Sequence, residues 1–319
     1  MRLIRVLKLS EASIGNVYPA QRQKIMAALR YFAHLRCLFS LLYTGSLYSG
    51  AILICGLLLG QVYAAEAAPQ RVISLAPHIT ELVYAVGAGD KLIAVSDYSD
   101  YPEAAQRLPR VNSFAALNIE AILALKPDLV LAWRSGNPPH DLARLRDFGI
   151  RVEYSDPKTL DDIADELTQI GQWLGHATQG ADAAMRTQQH LQALRANYQQ
   201  QKSVKVFYAM STEPLSTVAN QAWPAQLLRG CGAENIFADA QNDYPQPQVE
   251  QILVRQPDVI VHASKRGSAD PMLFWQRYPS IPAVRKQAFI TLEPDWVYRP
   301  TPRMIAAMQQ LCEQLALYR

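Results

Sequence analysis

Two stretches, NIEAILALKPDLVL at residues 118–131 and QVEQILVRQPDVIV at residues 248–261, repeat one pattern at an offset of 130 residues. In each stretch, apolar residues at helical spacing lead into a Pro-Asp pair, and four apolar residues follow. The Pro-Asp pair marks the end of a helix. The apolar run is typical of a strand that is covered on both faces, as in a parallel sheet. The repeat therefore predicts two α/β lobes built alike.

Further strand candidates lie on both sides of the repeated unit, separated by helical patterns or turns. They are Val72–Leu75, Leu92–Val95, Leu129–Ala132 and Val152–Tyr154 in the first half, and Val204–Ala209, Val259–His262 and Ala288–Thr291 in the second half. Alternation of strands with helices predicts the α/β class with mostly parallel central sheets.

The segment between the two halves, residues 160–201, lacks proline and is rich in Ala, Gln, Leu and Arg. Gly171, Gly175 and Gly180 argue against one unbroken helix, but residues 181–200 predict a strong helix about 30 Å long. A single long helix joining the lobes resists bending, so we expect a ligand cleft between the lobes that opens and closes little. The expected divisions are a leader at 1–67, an N-terminal lobe at 68–176, a linker helix at 177–201 and a C-terminal lobe at 202–319.

The first 67 residues have the pattern of a secretory signal with a long basic region. Basic residues up to Arg36 precede an apolar stretch at 37–62, and the small residues of AAEA at 64–67 suit a cleavage site. The apolar stretch approaches the length of a spanning helix, so a retained membrane anchor is the alternative. Glycines and serines interrupt the stretch, which favours cleavage and export.

The net charge of the exported part differs from that of the whole chain. The full chain carries +3, but the leader holds seven Lys/Arg and two Glu, which leaves 24 basic and 26 acidic residues, a net charge of −2. A nucleic-acid-binding protein needs a basic surface. We therefore expect no nucleic-acid partner.

Beyond the leader the chain contains two cysteines, Cys231 and Cys312. An even pair in an exported chain predicts a disulfide, with two buried free thiols as the alternative. The bond would close a loop of roughly 80 residues and stabilise the fold by about 4 kcal/mol in the chain-entropy model.

From Arg71 to the C-terminus the chain resembles the helical-backbone class of periplasmic solute-binding proteins, whose members carry vitamin B12, iron siderophores or haem. The helix–Pro-Asp–strand unit is shared by the class. The segments SDYSDYP at 96–102, AWRSGN at 132–137 and PDWVYRPTPR at 294–303 are most similar to the members that carry vitamin B12. The resemblance implies a monomer that captures cobalamin in the periplasm and delivers it to the permease dimer of an inner-membrane ABC transporter. It implies no cofactor and no catalysis.

The resemblance also implies a set of ligand-facing positions. They are Tyr98, Phe114, Trp133, Met210, Tyr244, Asp295, Trp296 and Arg299. A corrin is broad and amphipathic, so aromatic side chains that follow strands in two facing lobes would suit it. Phe114 and Tyr244 stand where the vitamin B12 members carry Trp, and Met210 stands where Phe is expected. The alternative is that these aromatic side chains only pack against the protein itself, and that Asp295 and Arg299 form an ion pair on the surface.

Glu120 and Glu250 begin the two repeated helices. A carboxylate at a helix N-terminus interacts favourably with the free N–H groups and the helix dipole, which alone would explain both residues. Their symmetric placement, one in each lobe, also suits docking onto a two-fold transporter. In the resembled class such glutamates pair with arginines of the permease.

The chain has neither a metal-binding motif nor a recognisable nucleophile–base pair, so we expect no catalytic or metal-ligating residues. A haem or ferric-siderophore binding protein of the same class stays open as an alternative. Tyr98 or His140 could reach a haem iron. Basic candidates for an anionic siderophore are Arg134, Lys265, Arg266 and Arg299. A metal-dependent hydrolase on a similar two-lobed scaffold is the remaining alternative.

Overall fold

The computed structural model describes residues 68–112, 116–265 and 272–319. The expected leader at 1–67, with its cleavage site, lies outside the described residues, as do Phe114 and Arg266. Among the described helices, none combines the length and the apolar character that a bilayer span requires.

The N-terminal lobe is built on a five-stranded parallel sheet. Its strands are β1 (Val72–Ser74), β2 (Leu92–Ser96), β3 (Arg110–Asn112), β4 (Leu129–Trp133) and β5 (Val152–Ser155), paired in the order β3-β2-β1-β4-β5. Its helices are α1 (Pro77–Ala85), α2 (Ile119–Ala124) and α3 (Pro139–Asp147), with 3-10 turns at Gly89–Lys91 and Glu103–Arg107.

Two helices follow the N-terminal lobe and lead into the C-terminal one. They are α4 (Asp162–Trp173) and α5 (Ala177–Tyr198). The second lobe contains β6 (Lys205–Ala209), β7 (Ser211–Thr212), β8 (Leu215–Ser216), α6 (Trp223–Gly230), β9 (Glu234–Asn235), α7 (Val249–Arg255), β10 (Val259–Ala263), α8 (Met272–Trp275), α9 (Pro282–Arg285), β11 (Phe289–Leu292), α10 (Pro294–Val297) and α11 (Pro302–Ala316). Its parallel sheet has the order β11-β10-β6-β9, and β7 and β8 form a small antiparallel hairpin.

The two sheets share one plan, which confirms the duplication predicted from the sequence. The strands β9-β6-β10-β11 follow the same order as β2-β1-β4-β5, with β4 and β10 each next to the first strand of their lobe. All seven predicted strands are present and parallel, and their ends differ from the predicted ones by at most one residue. The short edge strands β3 and β9 and the β7–β8 hairpin were not predicted.

The repeated Pro-Asp pair has the same structural role in both lobes. The N–H groups of Asp128 and Asp258 each donate over 2.8 Å, to the carbonyls of Arg71 and Lys205 respectively. The Asp128 carboxylate accepts the Arg71 N–H at 3.0 Å, and that of Asp258 accepts the Lys205 N–H at 3.4 Å. The pair therefore ties the start of β4 or β10 to the chain entering the neighbouring strand.

The linker helix α5 crosses α4 at close range because both helices present glycine. A Cβ built on Gly171 would lie 2.8 Å from the Cα of Gly180, and one built on Gly180 would lie 2.7 Å from the Leu167 carbonyl oxygen. Gly175, at φ 73°, lies in the turn that separates the two helices. The 22 residues of α5 give a rod about 33 Å long at 1.5 Å per residue.

The apolar core runs continuously from one lobe to the other. One buried cluster begins on a face of the N-terminal sheet, passes through α4 and α5 and continues into the C-terminal sheet, while a second cluster covers the other face of the N-terminal sheet. The predicted disulfide is confirmed: Cys231, at the end of α6, is bonded to Cys312 of α11, and both residues are fully buried.

Candidate ligand-binding groove

The predicted ligand-facing residues lie just past the carboxyl ends of strands in both lobes. Tyr98 follows β2 and Trp133 is the last residue of β4, whereas Met210 follows β6 and Trp296 lies in α10 after β11. In open parallel sheets this edge is where ligands usually bind, because the connecting loops converge there.

Three of the predicted aromatic side chains are exposed. Relative to full exposure, Tyr98 is 68% accessible, Tyr244 is 53% and Trp133 is 39%. Met210 and Trp296 are half-buried and pack against the C-terminal core. Exposed aromatic surface of this extent at a strand edge indicates a binding surface.

Tyr98 has a backbone conformation that an aromatic residue rarely adopts, with φ at 62°. Buried hydroxyls hold the turn in place: Ser99 Oγ lies 3.0 Å from Thr80 Oγ1 and 2.9 Å from Ser96 Oγ. Arg110 donates to the carbonyls of Ser96 and Ser99 at 2.8 and 2.9 Å. These hydrogen bonds therefore hold the turn in a conformation that is unfavourable for Tyr98 itself. Such strained residues, held by their surroundings, are common at functional sites.

Trp133 is fixed by its own loop. Its N–H donates to Asn137 Oδ1 at 2.7 Å, and the Asn137 amide donates to the Leu75 carbonyl at 3.1 Å. The indole covers Gly136 so closely that a Cβ there would lie 1.8 Å from a ring carbon. The imidazole of His78 meets the indole edge-on, with ring centroids 5.4 Å apart.

His78 is a buried neutral imidazole beside Trp133. Burial lowers its pKa to about 3; the Asp156 carboxylate opposes this shift and the Arg299 guanidinium adds to it. Its Nε2 lies 3.4 Å from the Ser155 hydroxyl. His78 thus contacts the Trp133 indole, and the charges of Asp156 and Arg299 both act on it.

Arg299 lies between the lobes, with only 10% of its side chain accessible. It donates to Glu81 at 3.1 Å and to Asp100 at 2.7 Å, both in the N-terminal lobe, and to Asp295 at 2.9 Å in its own lobe. Burial acts to raise the pKa of Asp100, but the hydrogen bond and charge of Arg299 hold that pKa below its usual value. Burial likewise opposes the charge of Arg299, yet its carboxylate partners keep its pKa raised.

Further contacts extend this arrangement into a cluster of three cations and three anions. Arg303 donates to Glu81, and its guanidinium lies 3.9 Å from the Tyr101 ring centroid and 5.9 Å from that of Trp296. Lys265 lies 3.3 Å from Asp295. We refer to the interlobe charge cluster, which consists of Glu81, Asp100, Lys265, Asp295, Arg299 and Arg303.

Residues 72–296 match the family model described as periplasmic binding protein. The chain belongs to this family. A vitamin B12-binding protein of Vibrio vulnificus (strain YJ016) is 44% identical over 256 residues, which is 79% of this chain and 92% of the relative. A vitamin B12-binding protein of Yersinia pestis (strain Pestoides F) is 43% identical over 269 residues, 84% of this chain and 92% of the relative.

Among solved structures, the crystal structure of the periplasmic vitamin B12 binding protein BtuF of Vibrio cholerae is similar in both sequence and fold. It is 43% identical, superposes with a TM-score of 0.71, and the alignment covers 79% of this chain and 98% of that one. As a periplasmic binding protein, the chain belongs to a family of solute-binding proteins rather than enzymes. In the parts of the chain that the structure describes, no His, Cys, Asp and Glu side chains form a group of three that could hold a metal ion.

Two cavities lie beside the linker helix, away from the predicted ligand-facing residues. Those cavities, of about 270 and 220 Å³, are both lined in part by the linker helix α5, and none of the predicted ligand-facing residues lines either one.

Glu120 and Glu250 are exposed in the first turns of α2 and α7. The helix caps come from other residues. Asn118 accepts the Ala121 N–H at 3.0 Å, and Gln248 forms a capping box with Gln251. The glutamates are thus dispensable as caps, and their carboxylates face solvent in both lobes.

The structure places Asp295 and Arg299 in the interlobe charge cluster, beside the turn that carries Tyr98. Met210 and Tyr244 belong to the C-terminal lobe, and contact of any of these residues with a ligand stays a prediction. Sequence reasoning missed Glu81 and His78, because their partners lie far along the chain: Glu81 and Arg299 are 218 residues apart. The residues alone gave no local signal for this pairing.

Proposed function

We propose that this periplasmic binding protein captures vitamin B12 in the groove between its lobes and delivers it to an inner-membrane ABC importer. One observation carries the choice of ligand: both lobes expose aromatic rings, Tyr98 and Trp133 in one and Tyr244 in the other, and the interlobe charge cluster is balanced in charge. The vitamin B12-binding relatives described above support the same choice.

The flat side chains of the predicted set suit the shape of the ligand. A corrin ring offers two broad faces to flat side chains, which Tyr98, Trp133 and Tyr244 provide at exposures well above those of core residues. The cavities by the linker helix, at about 270 Å³ or less, are at or below the small end of the range for ligand pockets. The exposed aromatic side chains of the two lobes suit a macrocycle better.

The charge of the ligand separates cobalamin from its rivals. Haem carries two propionates and a ferric catecholate is strongly anionic, whereas cyanocobalamin is neutral overall. Arg299 and Lys265, two of the cations proposed for an anionic siderophore, are paired with carboxylates at 3.3 Å or less. Among the described residues, the buried Arg299 is already paired with carboxylates of the protein. Such a site favours a neutral ligand that is recognised through its amide groups.

The proposed ligand contacts are those that the resemblance implies. The set is Tyr98, Phe114, Trp133, Met210, Tyr244, Asp295, Trp296 and Arg299. Delivery would use Glu120 and Glu250 as one acidic contact per lobe for a two-fold permease. The leader at residues 1–67 would direct export to the periplasm and be removed there, leaving lobes at 68–176 and 202–319 joined by the linker segment 177–201.

Isothermal titration calorimetry of the mature protein with cyanocobalamin, haemin and a ferric catecholate tests the ligand. We expect cyanocobalamin to bind with a dissociation constant at least about 100-fold below those of the other two, a difference of about 2.7 kcal/mol. Tighter binding of haemin or the siderophore than of cyanocobalamin would overturn the proposal.

A further inference from the structure

Glu81 is a buried carboxylate from the N-terminal lobe whose hydrogen-bond partners all come from the C-terminal lobe. Its side chain is 2% accessible. It accepts from Thr301 Oγ1 at 3.0 Å, from Arg303 Nε at 2.9 Å and from Arg299 Nη1 at 3.1 Å, and from a second nitrogen of Arg303. Two guanidinium groups and a hydroxyl therefore hold this carboxylate in one position.

Both arginines lie close to aromatic residues or to the turn that carries one of them. Arg303 lies over the ring of Tyr101, which is exposed, and near the ring of Trp296. Arg299 continues from Glu81 to Asp100, two residues after Tyr98. Glu81 therefore neutralises two cations that border the proposed ligand site without itself reaching the surface.

We propose that Glu81 determines the selectivity of the groove for a neutral over an anionic macrocycle, an inference that rests on the proposed function. With Glu81 in place, the three cations of the interlobe charge cluster face three carboxylates. Without its charge, Arg299 and Arg303 hold an uncompensated positive charge in a partly desolvated site. A ligand carboxylate would then supply the missing anion.

A matched pair of ligands isolates this effect from shape. Cyanocobalamin is compared with its monocarboxylic acids, in which one peripheral amide is hydrolysed to a carboxylate, each isomer being titrated separately. The measured quantity is the ratio of the dissociation constants of acid and amide. A general loss of stability or packing changes both constants together and leaves their ratio unmoved.

We expect Glu81→Gln to shift this ratio toward the acid by roughly tenfold, or about 1.4 kcal/mol, for the isomer whose carboxylate lies nearest the cluster. Arg303→Gln should shift the ratio in the opposite direction. The double variant Glu81→Gln/Arg303→Gln restores the charge balance and should return the ratio to the wild-type value. Glu103→Gln, which removes one negative charge from an exposed position, is the control and should leave the ratio unchanged.

The outcomes distinguish failure of this inference from failure of the proposed function. If the wild-type protein binds no corrinoid, the proposed function is wrong. If it binds corrinoids but no isomer shows a changed ratio in Glu81→Gln, Glu81 does not determine selectivity. Should Glu81→Gln fail to fold, Arg303→Gln decides alone, because an unchanged ratio in that variant contradicts the role of the cluster.

Discussion

The imidazole of His78 packs edge-on against the indole of Trp133, with ring planes at 83° and centroids 5.4 Å apart. The contact joins α1 to the end of β4, and His78 makes it as a buried, neutral side chain. His78 therefore supports the exposed Trp133, and burial in the folded protein disfavours protonation of its imidazole.

This burial predicts a loss of stability in mild acid. The pKa of His78 is about 3 in the folded protein and about 6.5 in an unfolded chain. Between these values the unfolded state binds the extra proton, so stability falls as the pH is lowered from about 6.5 toward 3, by up to about 1.4 kcal/mol per pH unit from this group. Urea unfolding at a series of pH values measures the slope.

The matched variants for this experiment are His78→Gln and His140→Gln. The first should flatten the slope, since it removes the buried titratable group. The second changes an exposed histidine at the start of α3 and should leave the slope as it is. Equal slopes in wild type and His78→Gln would contradict the assignment.

At Tyr98 we expect one substitution to raise the stability of the protein and to weaken ligand binding. Its φ of 62° is disfavoured for an aromatic residue, whereas Asn accepts this region more readily. Because the ring is largely exposed, Tyr98→Asn removes little buried surface and should raise the unfolding free energy by about 1 kcal/mol. The same variant should weaken cobalamin binding, since a ring face is lost. Chemical unfolding and calorimetric titration of one preparation measure both quantities, and a variant that binds as tightly as wild type would remove Tyr98 from the site.

Substitution of Trp296 measures how much one aromatic side chain contributes to the binding free energy. If its face lies against the ligand, Trp296→Ala should weaken cobalamin binding by about 1 to 3 kcal/mol, roughly 5- to 150-fold. Trp296→Phe, which keeps a ring near Arg303, should lose less. Phe148→Ala alters an exposed aromatic residue at the end of α3 and serves as the control. An unchanged dissociation constant for Trp296→Ala would mean that this indole only packs against the C-terminal core.

The Cys231–Cys312 bond predicts a redox-dependent stability. The bonded residues are 81 positions apart, and closing a loop of that length stabilises by about 4 kcal/mol in the chain-entropy model. The double variant Cys231→Ser/Cys312→Ser should lose an amount of that order in urea unfolding, while cobalamin affinity of the folded fraction is retained. Reductant should lower the stability of wild type only. If wild type and the double variant unfold at the same urea concentration, the bond does not stabilise the folded protein.

The sequence could predict the elements of the fold because each is encoded locally. The Pro-Asp pairs and the apolar runs after them specify β4 and β10 within fourteen residues, and their repetition specifies the second lobe. Strands of two or three residues, such as β3 and β9, carry no readable period and were missed. The aromatic groove residues could be named only through a family resemblance.

The interlobe charge cluster could not be predicted, and the reason is physical. Asp295 and Arg299 are four residues apart and would form a weak ion pair on a solvated helix. Their environment depends instead on Glu81 and Asp100, which the fold brings from about 200 residues away. Burial of a charge is a property of the assembled lobes, so no local pattern reports it.

If Glu120 and Glu250 dock onto the permease, changing them should affect delivery of the ligand without affecting its binding. Both carboxylates are exposed and the helix caps are supplied by Asn118 and Gln248, so reversing the two charges should cost little stability. Glu120→Arg/Glu250→Arg should bind cyanocobalamin as wild type does and fail to support its uptake, since each lobe would then repel a basic permease contact. Uptake of labelled cyanocobalamin by cells whose own binding protein is deleted measures delivery. Asp165→Arg/Asp182→Arg makes the same charge change at exposed positions of α4 and α5 and should transport normally. Normal uptake with the glutamate variant would contradict the docking role, whereas loss of uptake with both variants would trace the effect to net charge.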